Sequence, residues 1–385
     1  MSDSMTVHRL SDLLDSHFSG PSPTCIERNI RGNEWGVFKT TCSTTKGWNW
    51  RAHKVLPPAF WNLTRLEVKS GDSIITKAGP RHRVGVASFV DFVPPRIIPS
   101  GKMICLRPNP ERVLPAYLAL ALSDSRTQRY LDQRTTGMAE SQVNFENNAL
   151  LGAPVWLPER DEQEHIFEAL TGPTAAVTSL ERLIEKKQAI KQGMVQQLLT
   201  GKTRLPGFTG EWVPGCLGDV LKVRHGRNQR EVESPSGEFP ILGTGGVIGR
   251  TDTPLYSQPS VLIGRKGTID RPQFRDTPFW TVDTLFYTEI SESSDPRFLY
   301  YFATTVDWRS MNEGSGVPSL NSSQIESVKL HIPLLDEQRA IGATLKALEL
   351  EVEALEEKLA KLRAIKSGIM QELLTGHTRL TPVGV

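Results

Sequence analysis

The sequence predicts an α/β (α+β) protein in which two globular segments alternate with two long helices. Three observations support this architecture. A block of about 48 residues recurs about 175 positions further along, the block has the heptad periodicity of paired helices, and the globular segments contain short, turn-rich apolar runs. Such runs are typical of mixed or mainly antiparallel sheets. The chain is therefore a tandem duplication of one globular segment followed by one helix.

The recurrence is clearest in residues 158–205, which align without a gap with residues 333–380. Asp161-Glu162-Gln163 returns as Asp336-Glu337-Gln338, and about 22 aligned positions are identical. The globular segments repeat more weakly: Ser73 to Gly79 resembles Val261 to Gly267, and each is an apolar strand that leads into a basic, glycine-ended turn. We expect four parts, namely residues 1–157, 158–205, 206–332 and 333–385.

The repeated block ends in LLTGKTRL, which resembles the end of a phosphate-binding loop. A Walker A loop requires a glycine five residues before the Gly-Lys pair, and Gln196 occupies that position. The second copy, LLTGHTRL, has His377 where the first has Lys202. We therefore interpret Gly201 and Gly376 as residues that follow the end of a helix, and a nucleotide site is disfavoured.

The helical segments carry an apolar seam that alternates in steps of three and four residues. A helix of roughly 40 residues is about 60 Å long, so its seam needs another long helix to pack against. The duplicate supplies one, which favours an intramolecular coiled coil over homodimerisation. The seam leaves the direction open; we expect an antiparallel, pseudo-twofold pair. Thr171-Gly172-Pro173 predicts a break or kink in the first helix. The seam residues are Leu170, Val177, Leu180, Ile184, Leu345, Leu348, Val352, Leu355, Leu359 and Leu362.

Composition limits the classes of protein that this chain can belong to. The net charge is +2, and the globular segments carry an excess of about six positive charges, which an ordinary solvated surface also explains. The four cysteines lack metal-ligand spacing, and the histidines form no HExxH pair, so no metal site is expected. No segment has the character of a signal peptide or a membrane span. We expect a cytoplasmic protein with no cofactor of its own and no membrane partner.

Taken together, the motifs resemble those of specificity subunits of type I DNA restriction-modification systems. The helical motifs are Pro158-x-x-Asp161-Glu162-Gln163, Ile190-Lys191-x-Gly193-Met194 and Leu198-Leu199-Thr200-Gly201-x-x-Arg204, with their second copies. The second globular segment adds Ile263-Gly264-Arg265-Lys266-Gly267, Phe279-Trp280-x-x-Asp283 and Gly314 to Leu320. In the first segment, Thr136 to Ser141 is a looser counterpart of the last motif.

The resemblance implies two target-recognition domains, each of which reads one half of a split sequence in double-stranded DNA. The helices would set the unread gap and dock two methyltransferase subunits, which carry S-adenosylmethionine and flip the target adenine. Two motor-nuclease subunits would join with ATP and Mg²⁺. The chain has neither a P-loop nor an Asn/Asp-Pro-Pro-Tyr/Phe motif, so we expect no catalytic residue in it. Two alternatives remain open: a coiled-coil scaffold, and a fused methyltransferase or nuclease with degenerate motifs.

Basic side chains on glycine-bounded loops can reach phosphates and guanine edges, so they are the candidate DNA-binding residues. Arg265 aligns with Lys77, and a basic residue shared by domains with different targets favours phosphate contact or support of the fold. Trp48 and Trp50 lie near the candidates of the first domain, and core packing is their favoured role. The candidates are Lys39, Lys46, Arg51, Lys77, Arg81 and Arg83 in the first domain and Arg224, Arg227, Arg230, Arg265, Lys266, Ser315 and Ser319 in the second.

Overall fold

The chain folds into two compact units in a computed structural model that describes residues 5–45 and 47–380. Unit 1 combines Met1–Glu181 with Lys358–Val385, and unit 2 is Arg182–Glu357. Each unit holds one globular segment and a part of each of two long helices, α4 (Arg160–Leu198) and α8 (Leu335–Thr375). The mixed α+β class predicted from the sequence is confirmed.

Among the residues that the structure describes, unit 1 contains fourteen short strands and three short α-helices in addition to its parts of α4 and α8. The strands are β1 Thr6–Arg9, β2 Leu14–Phe18, β3 Gly36–Phe38, β4 Ser43–Thr44, β5 Gly47–Trp48, β6 His53–Val55, β7 Ser73–Thr76, β8 Ala78–Gly79, β9 Ala87–Phe89, β10 Ile97–Ile98, β11 Met103–Pro108, β12 Thr136–Ala139, β13 Gln142–Asn144 and β14 Pro154–Leu157. The helices are α1 Pro115–Leu122, α2 Ser125–Asp132 and α3 Asn147–Leu151.

Unit 2 contains nine strands and three short helices beside the long ones. The strands are β15 Val213–Cys216, β16 Leu221–Arg224, β17 Phe239–Gly243, β18 Gly246–Thr251, β19 Ser260–Gly264, β20 Gln273–Arg275, β21 Trp280–Thr281, β22 Leu285–Ile290 and β23 Lys329–Ile332. The helices are α5 Leu217–Val220, α6 Pro296–Thr305 and α7 Ser322–Glu326. Asp295 caps α6 by accepting a hydrogen bond from the Phe298 N–H at 2.8 Å.

The two units share one sheet topology. A four-stranded antiparallel sheet has the order β2-β11-β7-β9 in unit 1 and β16-β22-β19-β20 in unit 2. A three-stranded sheet with one parallel pair follows, β10-β3-β6 in unit 1 and β21-β17-β18 in unit 2. A two-stranded ribbon, β1-β14 or β15-β23, precedes the long helices. The weak sequence repeat of the globular segments therefore reflects a duplicated fold.

Central strands of both units are buried along their whole length. All residues of β7 and of β19 are buried, as expected for strands covered on both faces. The alignment of Ser73–Gly79 with Val261–Gly267 thus matched equivalent central strands. Unit 1 adds a small sheet of order β12-β13-β8, which lies alongside the segment after β7.

Within each unit, the parts of α4 and α8 run antiparallel. In unit 2, Lys187 Nζ lies 2.7 Å from Glu351 and Lys191 Nζ lies 3.2 Å from Glu349, so the residue number falls along one helix as it rises along the other. In unit 1, Arg363 pairs with Glu181 at 2.5 Å, and Arg379, just beyond the end of α8, pairs with Glu162 near the start of α4. The predicted antiparallel direction is confirmed, and Lys187, which interrupts the apolar seam, makes an ion pair instead.

All ten predicted seam residues are buried or half-buried. Leu348, Leu355 and Leu362 are half-buried. The other seven are buried: Leu170, Val177, Leu180, Ile184, Leu345, Val352 and Leu359.

Helix α4 continues through Pro173, so of the predicted break or kink the break is wrong. A proline inside a helix removes one backbone hydrogen bond and crowds the preceding turn. Buried residues on both sides, Leu170 and Val177, anchor the helix against that loss. The Thr171 hydroxyl donates to the Phe167 carbonyl at 2.8 Å, which adds a local contact in the same turn.

The repeated LLTG motif ends each long helix, as predicted. Gly201 has φ +69° and Gly376 has φ +75°, the left-handed conformation that glycine adopts at the lowest cost. The leucines that precede them fill the cores of the units: Leu198 and Leu199 belong to the core of unit 2, and Leu373 and Leu374 to that of unit 1. The motif is a packing and capping device.

Candidate nucleic-acid interface

In unit 2, a basic turn follows the central strand β19. We define it as residues 264–267, which contain Arg265 and Lys266. The N–H groups of Arg265 and Lys266 donate to the Thr284 carbonyl at 2.8 and 3.1 Å, and the Arg265 carbonyl accepts from the Leu320 N–H at 2.9 Å. The Lys266 side chain is exposed, and Arg265 is half-exposed with Nη1 donating to the Asp283 carbonyl at 3.1 Å. The backbone is fixed while one basic side chain projects into solvent.

Unit 1 builds the same turn after the equivalent strand β7. The N–H groups of Lys77 and Ala78 donate to the Lys102 carbonyl at 2.9 and 3.2 Å, and the Lys77 carbonyl accepts from the Phe145 N–H at 3.2 Å. Lys77 therefore occupies the place of Arg265, as the alignment predicts. Its Nζ donates to Asn147 Oδ1 at 3.1 Å. Because the basic residue recurs at one backbone position in both units, it suits a contact that both make in the same way.

In unit 2, the segment Asn312–Ser319 borders the basic turn; we name it the 312–319 loop. Gly267 N–H donates to the Pro318 carbonyl at 2.9 Å, and Lys266 forms an antiparallel bridge with Ser319. Ser315 is exposed and Ser319 half-buried. Arg265, Lys266, Ser315 and Ser319 are thus brought into one surface. In unit 1, the hairpin of β12 and β13 borders the turn at the same place, since Val143 pairs with Gly79.

Three candidates are engaged with carboxylates. Lys39 lies 2.5 Å from Glu27, Arg81 lies 2.8 Å from Asp132, and Arg224 lies 2.8 Å from Glu289. A phosphate contact by any of them has to compete with that ion pair, so the structure favours them less than Arg265 or Lys266.

The remaining candidates of unit 2 lie on the segment after β16. Arg227 and Arg230 are exposed. The backbone beneath them is tied to β21, because Arg227 N–H donates to the Thr281 carbonyl at 2.8 Å and Trp280 Nε1 donates to the Arg227 carbonyl at 2.9 Å. The two arginines therefore present exposed cationic ends, and the backbone of Arg227 is fixed.

The remaining candidates of unit 1 lie on two separate segments. Arg83 is half-buried in the turn between β7 and β9, and Lys46 lies outside the described residues. The Arg51 guanidinium lies over the Trp50 ring, 4.4 Å from its centroid. Trp48 is half-buried and packs against the Phe38 ring, whose centroid is 4.8 Å away.

A buried histidine supports the segment that carries Arg51. Burial lowers the pKa of His53 below its ordinary value of 6.5, and nearby Lys39 acts in the same direction. Nδ1 donates to the Trp50 carbonyl at 2.8 Å, and Nε2 accepts from the Ile30 N–H at 3.3 Å. This pattern requires the neutral ring, so the Arg51 segment depends on an unprotonated histidine.

Sequence reasoning missed Asn312 and Val317. Asn312 Oδ1 accepts from the N–H groups of Gly314 and Ser319 at 2.9 and 2.8 Å, and its Nδ2 donates to the Gly314 carbonyl at 3.0 Å. Val317 is 62 % exposed. The sequence did contain a signal for Val317, because an apolar residue between a glycine and a proline in a loop is not expected to be buried.

Other classes of site are missing from the part of the chain that the structure describes. Within residues 5–45 and 47–380 no group of histidine, cysteine, aspartate or glutamate side chains is arranged to hold a metal ion. Over the same residues, no helix has the length and apolar character that crossing a membrane requires.

Each unit thus combines the same sheet topology, a basic turn after its central strand and an antiparallel pair of helix segments. Residues 209–364 match the type I restriction modification DNA specificity domain. The match covers the second globular segment and the larger part of α8.

Two curated relatives and two solved structures illustrate this likeness. The type I restriction enzyme EcoEI specificity subunit of Escherichia coli is 32 % identical over 151 residues, which are 39 % of this chain and 25 % of that one. The MjaVIII specificity subunit of Methanocaldococcus jannaschii is 21 % identical over 311 residues, 69 % of this chain and 70 % of that one. The alignment thus spans a quarter of the length of the first relative.

The solved structures share the fold. The S subunit of a type I restriction-modification system from M. genitalium superposes with a TM-score of 0.64 at 15 % identity, covering 96 % of both chains. A chain from another solved type I restriction-modification system superposes with a TM-score of 0.55 at 16 % identity, covering 97 % of this chain and 98 % of that one.

Proposed function

We propose that this chain is the non-catalytic DNA-recognition subunit of a type I restriction-modification complex, acting in the cytoplasm on double-stranded DNA. The observation that carries the proposal is the recurrence of one fold, with Lys77 and Arg265 at one backbone position of it. A protein that reads a two-part sequence needs two readers of the same architecture whose contact side chains differ. Each unit supplies one reader, with target-recognition domains at residues 1–157 and 206–332.

Within these readers, we assign the equivalent basic residues Lys77 and Arg265 to phosphates. A contact that is independent of sequence suits a position that both units keep. The exposed Lys266 and Ser315 beside the turn of unit 2 are available for base edges. Arg51, Arg83, Arg227 and Arg230 complete the set of cationic contacts, while Lys39, Arg81 and Arg224 contribute only where DNA displaces their carboxylate partners.

The helical segments at residues 158–205 and 333–385 act as spacers. They set the length of the unread gap and dock two methyltransferase subunits, which supply the chemistry of adenine methylation. Two motor-nuclease subunits join the complex for restriction. The chain itself holds the target and contributes no reacting group.

Footprinting of the chain together with its methyltransferase tests the two-reader proposal. We expect two protected patches with several unprotected base pairs between them, and binding that weakens steeply with salt. A single continuous footprint, or none, contradicts it. Incubation of the purified chain alone with S-adenosylmethionine and the same DNA tests the alternative that the chain is itself a methyltransferase. Methyl transfer without partners is incompatible with a non-catalytic subunit.

An insertion experiment tests the spacer role. Seven residues of heptad sequence inserted after Glu181 in α4, and seven after Glu357 in α8, lengthen both helices by about 10 Å. Because base pairs rise by about 3.4 Å, the gap between the two methylated half-sites should grow by about three base pairs. Mapping of methylated adenines provides the measurement. An active complex whose gap is unchanged excludes the spacer role.

A further inference from the structure

The 312–319 loop is held in one conformation by its own side chains. The Asn312 amide makes three hydrogen bonds across the loop, two to N–H groups and one to a carbonyl. The Glu313 N–H donates to the Ser319 carbonyl at 3.1 Å, and Asn321 Nδ2 donates to Glu313 Oε1 at 2.8 Å. A Cβ at Gly314 would lie 2.0 Å from the Val317 carbonyl, so the chain returns on itself where only glycine fits. The loop is therefore preorganised.

This hydrogen-bonded loop presents an apolar side chain to solvent. Val317 is 62 % exposed, whereas Ser319 two positions later is tied to the basic turn. A single exposed valine is ordinary on a protein surface and carries no meaning by itself. Its position is informative, because it stands between the exposed Ser315 and the turn that bears Arg265 and Lys266.

The chemistry of the DNA grooves narrows what such a side chain can recognise. Base edges in the major groove present hydrogen-bond donors and acceptors, and one apolar group, the C5-methyl of thymine. A valine has no hydrogen-bonding group, so among base edges it gains most by covering that methyl. Under the proposed function, Arg265 binds a phosphate while Lys266 and Ser315 bind polar base edges, which leaves the thymine methyl group for Val317.

We propose that Val317 is a specificity-determining residue that packs against the C5-methyl group of a thymine in the half-site bound by unit 2. Asn312 is the positioning residue that holds the loop in the required shape. This inference rests on the proposed function, since it assumes that unit 2 binds DNA through the surface of the basic turn.

The test removes the methyl group from the DNA and the side chain from the protein independently. The full chain with its methyltransferase is bound to a duplex carrying the mapped target, in which each thymine of both half-sites is replaced singly by deoxyuridine. We expect one replacement to weaken binding of the wild-type complex about fourfold, the value of one buried methyl group. The same replacement should have no effect on the Val317→Ala complex.

Val213→Ala is the matched control. It removes the same side chain from a position that is also 62 % exposed, on strand β15, and should leave the response to deoxyuridine unchanged. The inference is overturned if no replacement weakens the wild-type complex, or if the replacements weaken wild type and Val317→Ala equally. Failure of the complex to bind the unmodified target overturns the proposed function instead.

Variants at Asn312 test positioning separately from contact. Asn312→Ala removes all three loop hydrogen bonds and should abolish the response to deoxyuridine. Asn312→Asp keeps the acceptors for the Gly314 and Ser319 N–H groups, so the response should return even where the added negative charge lowers overall affinity. A retained response in Asn312→Ala, or a lost response in Asn312→Asp, excludes the positioning role.

Discussion

Arg204, just beyond the end of α4, donates two parallel hydrogen bonds to the carboxylate of Glu337 in the first turn of α8. Nε lies 2.5 Å from Oε1 and Nη2 lies 2.6 Å from Oε2. Trp212 Nε1 donates to the same carboxylate at 3.1 Å. In unit 1, Arg379 forms the same two-bond pair with Glu162. The repeated Asp-Glu-Gln and Thr-Gly-x-x-Arg motifs are therefore the two halves of a clamp that joins the start of one helix to the segment after the other.

Loss of Arg204 should destabilise unit 2 strongly. Glu337 is only 2 % exposed, so Arg204→Ala leaves a buried carboxylate without its cation. We expect the Tm of the full chain to fall on the order of 5–10 °C. Arg339→Ala is the control, because its ion pair with Asp336 is exposed on both sides and should contribute little. Equal shifts in calorimetry for the two variants would contradict the importance of the clamp.

Replacement by alanine of a glycine inside α4 and of a glycine just after its end should change the free energy of unfolding in opposite directions. Gly201 has a positive φ, so Gly201→Ala should lower the free energy of unfolding by about 1 kcal/mol or more. Gly193 lies inside the helix, with open space around it among the described residues, so Gly193→Ala should raise that energy by about 0.5–1 kcal/mol. Urea denaturation measures both, and a stabilising Gly201→Ala would be inconsistent with the cap.

The stability of unit 1 should depend on pH through His53. Its folded-state pKa lies below the ordinary value of 6.5 because the ring is buried. Above that value the ring is neutral in both states; as pH falls below it, the unfolded chain binds a proton that the folded chain does not accept, and stability decreases. The urea midpoint should therefore fall between about pH 6.5 and 5.

His53→Gln should flatten this pH dependence. The matched control is His331→Gln, which changes an exposed histidine on β23 and should retain the dependence of the wild type. A slope that survives in His53→Gln points to another titrating group.

The basic turn should contribute to binding in a way that depends on salt and not on sequence. Arg265→Ala should weaken binding of the complex to all DNA sequences and reduce the slope of log K against log salt concentration by about one. Lys329→Ala removes an exposed lysine on β23 that is not among the candidate contacts, and it should leave the slope unchanged. Competition between target and non-target DNA over a salt series gives the measurement. A change in sequence preference with an unaltered slope would assign Arg265 to a base.

Much of the fold was predictable because local patterns of apolar residues in the sequence indicate its helices and strands. The heptad seam fixed the long helices, and the strand and basic turn at Val261–Gly267 were recognisable from an apolar run ended by glycine. The clamp of Arg204 and Glu337 was visible only as two recurring motifs. Their pairing joins residues far apart in sequence, which no local pattern reports.

The contact surface was less predictable for a related reason. Whether a surface arginine is free depends on carboxylates that the fold brings to it, as with Arg224 and Glu289. The Asn312 hydrogen bonds likewise depend on the loop that they close. Pro173 shows the opposite case, where buried neighbours override a strong local preference. A helix seam can be recognised from local sequence. Whether a side chain is available to contact DNA depends on the tertiary structure around it.

The division of the chain has a consequence for its synthesis. Unit 2 is one continuous stretch, whereas unit 1 needs Leu373 and Leu374 to complete its core. During translation, the first globular segment therefore cannot complete its core until Leu373 and Leu374 have been synthesised. The second globular segment can complete its core earlier. Nascent-chain folding should finish in the reverse of the order in which the two segments emerge.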